Sequence, residues 1–186
     1  MEAITNGKVL WIVYNMASYD LIIMRHAKSD WNHEHISDFD RPLNSRGKQD
    51  APRMAQWMKD VALRPEVLIC SPAVRASQTA AEIIKHLDIP ESSVIYDKRM
   101  YLASTATLCK IVKETDDRIK STMLIGHNPG LEDLAIELCK ERIPVVPGKG
   151  LISTANILHL RMLQPWCELK SHSCDFVQIM RPKQLP

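Results

Sequence analysis

Two arginines and two histidines recur after three similar apolar runs in this chain, and their side chains could together bind and transfer a phosphoryl group. Arg25-His26 follows Leu21-Ile22-Ile23-Met24, Arg75 follows Val67-Leu68-Ile69-Cys70 through Ser71-Pro72, and His127 follows Met123-Leu124-Ile125 through Gly126. A guanidinium offers forked donors that match phosphate oxygens and keeps its charge at ordinary pH. A His held among such cations is expected to have a lowered pKa, which leaves one ring nitrogen unprotonated and nucleophilic. The chemistry this set suits is phosphoryl transfer onto a histidine nitrogen, followed by hydrolysis.

The elements that must position these residues are legible from the same runs. Short apolar stretches between polar neighbours read as buried parallel strands, and ligands of open α/β sheets collect at the carboxyl ends of such strands. Asn44-Ser45 is expected to cap a helix running to about Lys59, with Met54, Trp57 and Met58 at helical spacing. A second helix follows Arg75 with Ala80, Ile83, Ile84 and Leu87 on one face, and Thr105 or Thr107 caps a third bearing Leu108, Ile111 and Val112. Pro129 opens a fourth with Leu131, Leu134, Ala135 and Leu138 inward. Ile143 to Gly150 reads as a loop near the site, and strands near Ala155–Leu160 and Phe176–Met180 close the sheet. The fold class is therefore α/β, three layers with a mostly parallel central sheet. Steps of roughly fifty residues between the Arg and His positions match βα passages with short loops and leave no insertion for a lid. A shallow site suits a phosphorylated side chain on another protein better than a small ligand that must be engulfed.

The chain's 186 residues, 45% of them hydrophobic and 25% charged, fit one globular domain, and a net charge of +2 without a basic block argues against nucleic acid as partner. Five cysteines with no Cys-x-x-Cys pair argue against a disulfide framework or a zinc site and for a reducing, cytoplasmic setting. The apolar stretch Val9 to Met16 is too short to cross a bilayer and lacks the marks of a signal peptide. Residues 1–18 are expected to be an N-terminal extension, either an added strand or helix or the product of a start upstream of Met16. The main domain covers 19–186.

Beyond these patterns, the chain resembles the histidine phosphatase superfamily, the phosphoglycerate mutase-like proteins, and most of all its SixA-type phosphohistidine phosphatases. The resemblance rests on Arg25-His26-Ala27-Lys28-Ser29, Trp31-Asn32, Asp40-Arg41-Pro42-Leu43, Arg46-Gly47, Ser71-Pro72, Arg75, Gln78-Thr79, Tyr101-Leu102-Ala103-Ser104 and Gly126-His127-Asn128-Pro129-Gly130. It implies a phosphoglycerate mutase-like fold and a metal-independent phosphatase without cofactor. It also implies that His26 is the nucleophile, Arg25 and Arg75 bind phosphoryl oxygens, and His127 completes the pocket. Asn32, Ser29, Arg41 and Asn128 are further substrate-binding candidates.

Two departures from the family pattern bear on function. Ala27 replaces the usual Gly, so this position is expected not to need a positive φ. The stretch Arg99 to Ala103 lacks the carboxylate that serves many relatives as general acid, although Glu34, Asp38 or Asp40 could substitute. An ester's alkoxide benefits from such an acid, whereas imidazole leaves without one, so its loss favours phosphohistidine. The expected function is hydrolysis of phosphohistidine on a protein, such as a histidine phosphotransfer domain, through a phospho-His26 intermediate. The alternatives are a phosphatase of a small phosphate ester or phosphoramidate, and a slow or inactive phosphohistidine-binding module. An oxyanion is expected in the site and no membrane as partner. The cluster His33-Glu34-His35, with adjacent loop residues that rarely converge on one ion, reads as a solvated loop.

Overall fold

The computed structural model of the chain describes residues 3–5, 8–10, 18–31, 35–145 and 150–186. Strands β1 (Ala3–Thr5) and β2 (Lys8–Leu10) pair antiparallel in a small sheet of their own. The main sheet takes β3 (Tyr19–Arg25), β4 (Val67–Cys70), β5 (Val94–Tyr96), β6 (Ser121–Gly126), β7 (Ile157–Met162) and β8 (Asp175–Met180) in the order β5-β4-β6-β3-β7-β8. Four helices connect them: α1 (Ser45–Asp60), α2 (Val74–Leu87), α3 (Thr105–Lys113) and α4 (Gly130–Leu138). The pairs β5·β4, β4·β6 and β6·β3 are parallel, while β3·β7 and β7·β8 are antiparallel.

The side-chain period of two explains the three layers. Leu21, Ile23, Ile69 and Leu124 pack with Leu108, Ile111, Leu131 and Leu134 on the α3–α4 face. Their neighbours Ile22, Met24, Leu68, Met123 and Ile125 pack with Met54, Met58, Ala80 and Ile83 on the α1–α2 face. With both faces covered, these strands carry unbroken apolar runs, and each fully buried Leu, Ile or Met contributes roughly 1.5–3 kcal/mol. The chain steps outward from β3 to β4 to β5 along the α1–α2 face, then returns through α3 to insert β6 between β3 and β4. That reversal sets the carboxyl ends of β3, β4 and β6 side by side, where such sheets hold their ligands.

Asn44 caps α1 as expected, its side chain accepting from the Gly47 N–H at 2.9 Å. The cap of α3 is Ser104, whose hydroxyl accepts from Thr107 N–H, because Thr105 is already the first helical residue. Strand β5 escapes the sequence reading: three residues at a sheet edge, with Ile95 and Tyr96 exposed, show no period. The expected loop from Ile143 to Gly150 begins and ends without strand or helix, and residues 146–149 lie outside the described set.

Two glycines allow close backbone contacts that bring the site's loops together. A Cβ on Gly47 would lie 2.2 Å from the Lys28 carbonyl oxygen, and one on Gly130 would lie 2.0 Å from that of Ala103. Gly47 thus lets α1 press against the turn that follows His26. Gly47→Ala is expected to force backbone apart and cost about 1–3 kcal/mol, read as a lower midpoint in urea denaturation.

Candidate functional site

The ends of β3, β4 and β6 deliver the expected residues to one place. Arg25 lies opposite Gly126 in the β3·β6 register, the His26 N–H donates to Gly126 O at 3.0 Å, and Ser71 N–H donates to Ile125 O at 2.9 Å. The rings of His26 and His127 stand 5.1 Å apart, and Arg75 reaches His26 from the first turn of α2.

The state of His26 follows from its partners. Its Nδ1 lies 2.7 Å from Ala27 O, which can only accept, so Nδ1 carries the proton. Nε2 therefore keeps its lone pair and accepts from the Arg75 Nε–H at 3.2 Å. Burial pushes the His26 pKa down to about 3; the Ala27 carbonyl opposes this, while the charges of His127, Arg75 and Arg25 add to it. Burial likewise takes His127 down to about 4, with Arg75 contributing. Neighbouring cations alone are not the main reason for the lowered His pKa values: desolvation is the larger cause, and the cations reinforce it.

The surrounding contacts hold this arrangement in place. Thr79 Oγ1 accepts from Ala27 N–H at 3.0 Å and donates to Arg75 O at 2.7 Å, so one hydroxyl ties the turn after His26 to α2. Ala27 is fully buried and is absent from the residues with positive φ, in accord with its replacing a glycine. His127 Nε2 lies 2.8 Å from Ser71 Oγ, and its Nδ1 is buried without a partner among the described residues. Arg25 donates through Nη1 to Ile152 O at 3.2 Å, while its buried Nε has no partner among the described residues. Tyr101 stands edge-on to His127 with ring centroids 5.4 Å apart.

Asp38 occupies the outer fork of Arg75. Arg75 Nη2 donates to the Asp38 carboxylate at 2.9 Å and Nη1 donates to the Asp38 carbonyl. The same carboxylate accepts from Tyr101 OH at 2.7 Å and from Arg41 Nη2 at 2.6 Å. Partial burial works against the Asp38 charge, but hydrogen bonds from Tyr101 and Arg41 and the charge of Arg75 hold its pKa well below the usual carboxylate range. Among the described residues, Asp38 is the carboxylate hydrogen-bonded to Arg75 and Tyr101, so the first loop does bring an acidic group to the site.

The four further candidates fall differently. Arg41 is buried, donates to Asp38 and to Ser29 Oγ at 3.0 Å, and lies 3.6 Å above the exposed Trp31 ring. Ser29 and Arg41 thus brace the loop that carries Asp38. Asn128 turns both hydrogens of Nδ2 to acceptors, Glu132 at 2.7 Å and Ile152 O at 2.8 Å, so its side chain has no donor left for a phosphate. Asn32 lies outside the described residues, as do His33 and Glu34 of the His33-Glu34-His35 cluster. Among the described residues no group of three or more His, Cys, Asp or Glu could hold a metal, and no helix is long and apolar enough to cross a membrane.

Sequence reasoning assigned no role to Thr79, Ser71, Tyr101 or Glu132. The signal for Thr79 is its place four residues after Arg75, one helical turn onward and on the same face. Glu132 accepts from Leu151 N–H at 2.9 Å and fastens the segment beside Arg25. Nothing local to α4 predicts that contact.

The neutral imidazoles make the fold sensitive to acid. Their pKa values lie below those of the unfolded chain, so the unfolded state binds more protons and stability falls with pH from about 6.5 downward. The urea midpoint is expected to drop between pH 7 and pH 5, and His127→Gln is expected to flatten that slope. An unchanged slope in the variant contradicts the assignment.

The geometry agrees with three comparisons. The sequence profile described as "Histidine phosphatase superfamily (branch 1)" matches residues 21–100. An uncharacterised protein of Mycobacterium tuberculosis is 34% identical over 169 residues, spanning 86% of this chain and 100% of that protein. The phosphohistidine phosphatase SixA of Escherichia coli is 29% identical over 125 residues, 67% of this chain and 76% of SixA. Among solved structures, the protein histidine phosphatase SixA complexed with tungstate aligns with a TM-score of 0.71 at 24% identity, over 89% of this chain and 98% of that one.

Proposed function

Because the chain belongs to the histidine phosphatase superfamily, we propose that this phosphatase removes the phosphoryl group from phosphohistidine on a protein by way of a covalent phospho-His26 intermediate. The observation that carries this reading is the state of His26. It is buried and neutral, with Nδ1–H fixed to a carbonyl and the Nε2 lone pair set beside Arg75, Arg25 and His127.

In the first step His26 Nε2 attacks phosphorus and the bond from phosphorus to the substrate nitrogen breaks. The substrate imidazole departs with that electron pair and the proton it carries on its other nitrogen. Arg25, Arg75 and His127 face the charge on the transferring group, and the arriving dianion competes with Asp38 for the Arg75 fork. In the second step water attacks the phosphorus, the bond to His26 Nε2 breaks, and inorganic phosphate leaves with the ring neutral again.

The substrate class rests on the leaving group. Hydrogen bonds from Tyr101 and Arg41 and the charge of Arg75 favour the ionised form of Asp38 and make it a poor proton donor, and a positioned acid is typically worth on the order of 10² to 10⁴ in rate to a poor leaving group. Imidazole leaves without that help; an alkoxide does not. The exposed Trp31 and Leu102, beside Arg41 and Tyr101, offer an apolar rim on which a protein carrying the phosphohistidine can rest.

The test is to present the purified protein with a phosphohistidine-bearing phosphotransfer domain and, separately, with an aryl phosphate. Rapid loss of phosphohistidine and feeble ester hydrolysis is the expected outcome. Efficient ester hydrolysis with phosphohistidine untouched overturns the substrate and points to Asp38 or Tyr101 as a proton donor. Tight phosphate binding with neither substrate turned over overturns the enzymatic reading in favour of a binding module.

A further inference from the structure

Next to the His26 site lies a cavity of about 320 Å³ whose lining, among the described residues, is cationic without an acidic residue. Arg25, Lys28, Arg46, Arg181 and Lys183 contribute five positive charges to it, against a net charge of +2 for the whole chain. Asn156, 1% exposed, also lines the cavity, and its Nδ2 is a buried donor without an acceptor among the described residues. The buried Nε of Arg25 is a second such donor.

Intramolecular acids neutralise little of this charge. Arg46 pairs with Asp50 at 3.1 Å, and the charge of Glu132 acts on Arg25. The Arg181 guanidinium donates to the Pro144 carbonyl, and among the described residues Arg181, Lys28 and Lys183 form no ion pair. Lys28, Arg181 and Lys183, three cations held together without an ion-pair partner among the described residues, repel one another, and a fold tolerates this where an anion is bound.

We infer that this cavity is a second oxyanion subsite that binds a diphosphate-class anion and shares Arg25 with the phosphoryl site. Its cations come from the end of β3, the turn after His26, the start of α1 and the segment after β8. Donors spread over four segments suit a group with several oxygens on two centres better than one carboxylate or one phosphate. Because Arg25 lines this cavity and its charge also reaches His26 and His127, an anion held here is sensed at the phosphoryl site. The inference does not depend on phosphohistidine being the substrate.

The experiment is calorimetric titration of the full chain with pyrophosphate and with inorganic phosphate, comparing wild type with the Lys28→Glu/Lys183→Glu double variant. Wild type is expected to bind pyrophosphate at least tenfold more tightly than phosphate. The double variant is expected to lose that excess, its pyrophosphate affinity falling at least tenfold further than its phosphate affinity. A second pair, Lys28→Gln/Lys183→Gln, separates loss of the site from misfolding and is expected to lose part of the excess with an unchanged melting temperature. Equal pyrophosphate affinity in all three proteins overturns the subsite. So does an equal loss for both anions, which marks only a general field. Displacement of pyrophosphate by an oligoglutamate peptide at matching affinity overturns the diphosphate class in favour of docking by an acidic protein segment. Because binding is read without turnover, failure of the proposed activity leaves this result legible.

Discussion

His26→Ala is expected to lower phosphohistidine hydrolysis by about 10³-fold or more and to abolish an acid-labile phosphoryl label on the protein. The reason is specific to Nε2. Its lone pair is the buried nucleophile on offer, and without it water must attack the phosphoryl group directly, with no covalent intermediate to divide the barrier. Truncation leaves Arg25, Arg75 and His127 in place, so phosphate or tungstate should still bind the variant. Rapid-quench labelling followed by acid and base treatment identifies the bond: a nitrogen-linked phosphoryl is lost in acid and survives base. Turnover within tenfold of wild type, or a label that persists in the variant, assigns the nucleophile elsewhere.

Arg75→Lys is the second large effect, with kcat/KM expected to fall about 10²- to 10³-fold although a positive charge remains. Arg75 does three things with one planar group: Nε donates to His26, Nη2 holds the Asp38 carboxylate, and the guanidinium stands 5.9 Å from the Tyr101 ring. A lysine ammonium can reach one of these points but cannot reproduce the fork. The His26 pKa should rise in the variant, because the Arg75 Nε–H that donates to the Nε2 lone pair, and so favours the neutral ring, is lost while the positive charge stays. Imidazole titration by NMR checks this, with an upward shift expected. A variant with unchanged kcat/KM makes Arg75 a packing residue at the start of α2.

Much of the main domain was legible in the chain because local rules and tertiary packing agree there. Unbroken apolar runs at residues 21–24, 67–70 and 123–125 can be buried only with helices on both faces, and those helices follow from Met54, Ile83, Leu108 and Leu131 at helical spacing. Arg25-His26, Arg75 and His127 end those runs or follow them closely, so parallel pairing brings them to one edge. Strand direction puts them on one edge, and the insertion of β6 between β3 and β4 makes them neighbours there.

Tertiary structure decided what depends on pairing between distant segments. Glu132 reaching Leu151, Thr79 reaching Ala27, and Tyr101 reaching Asp38 join residues 19, 52 and 63 positions apart, and no local period records such contacts. The protonation state of His26 is decided the same way: the residue type permits a neutral or a charged ring, and burial against Ala27 O and Arg75 selects the neutral one. The basic cavity is the clearest case. Lys28, Arg46 and Lys183 look like scattered surface charges in sequence, and only the docking of the segment after β8 beside α1 places them around one space.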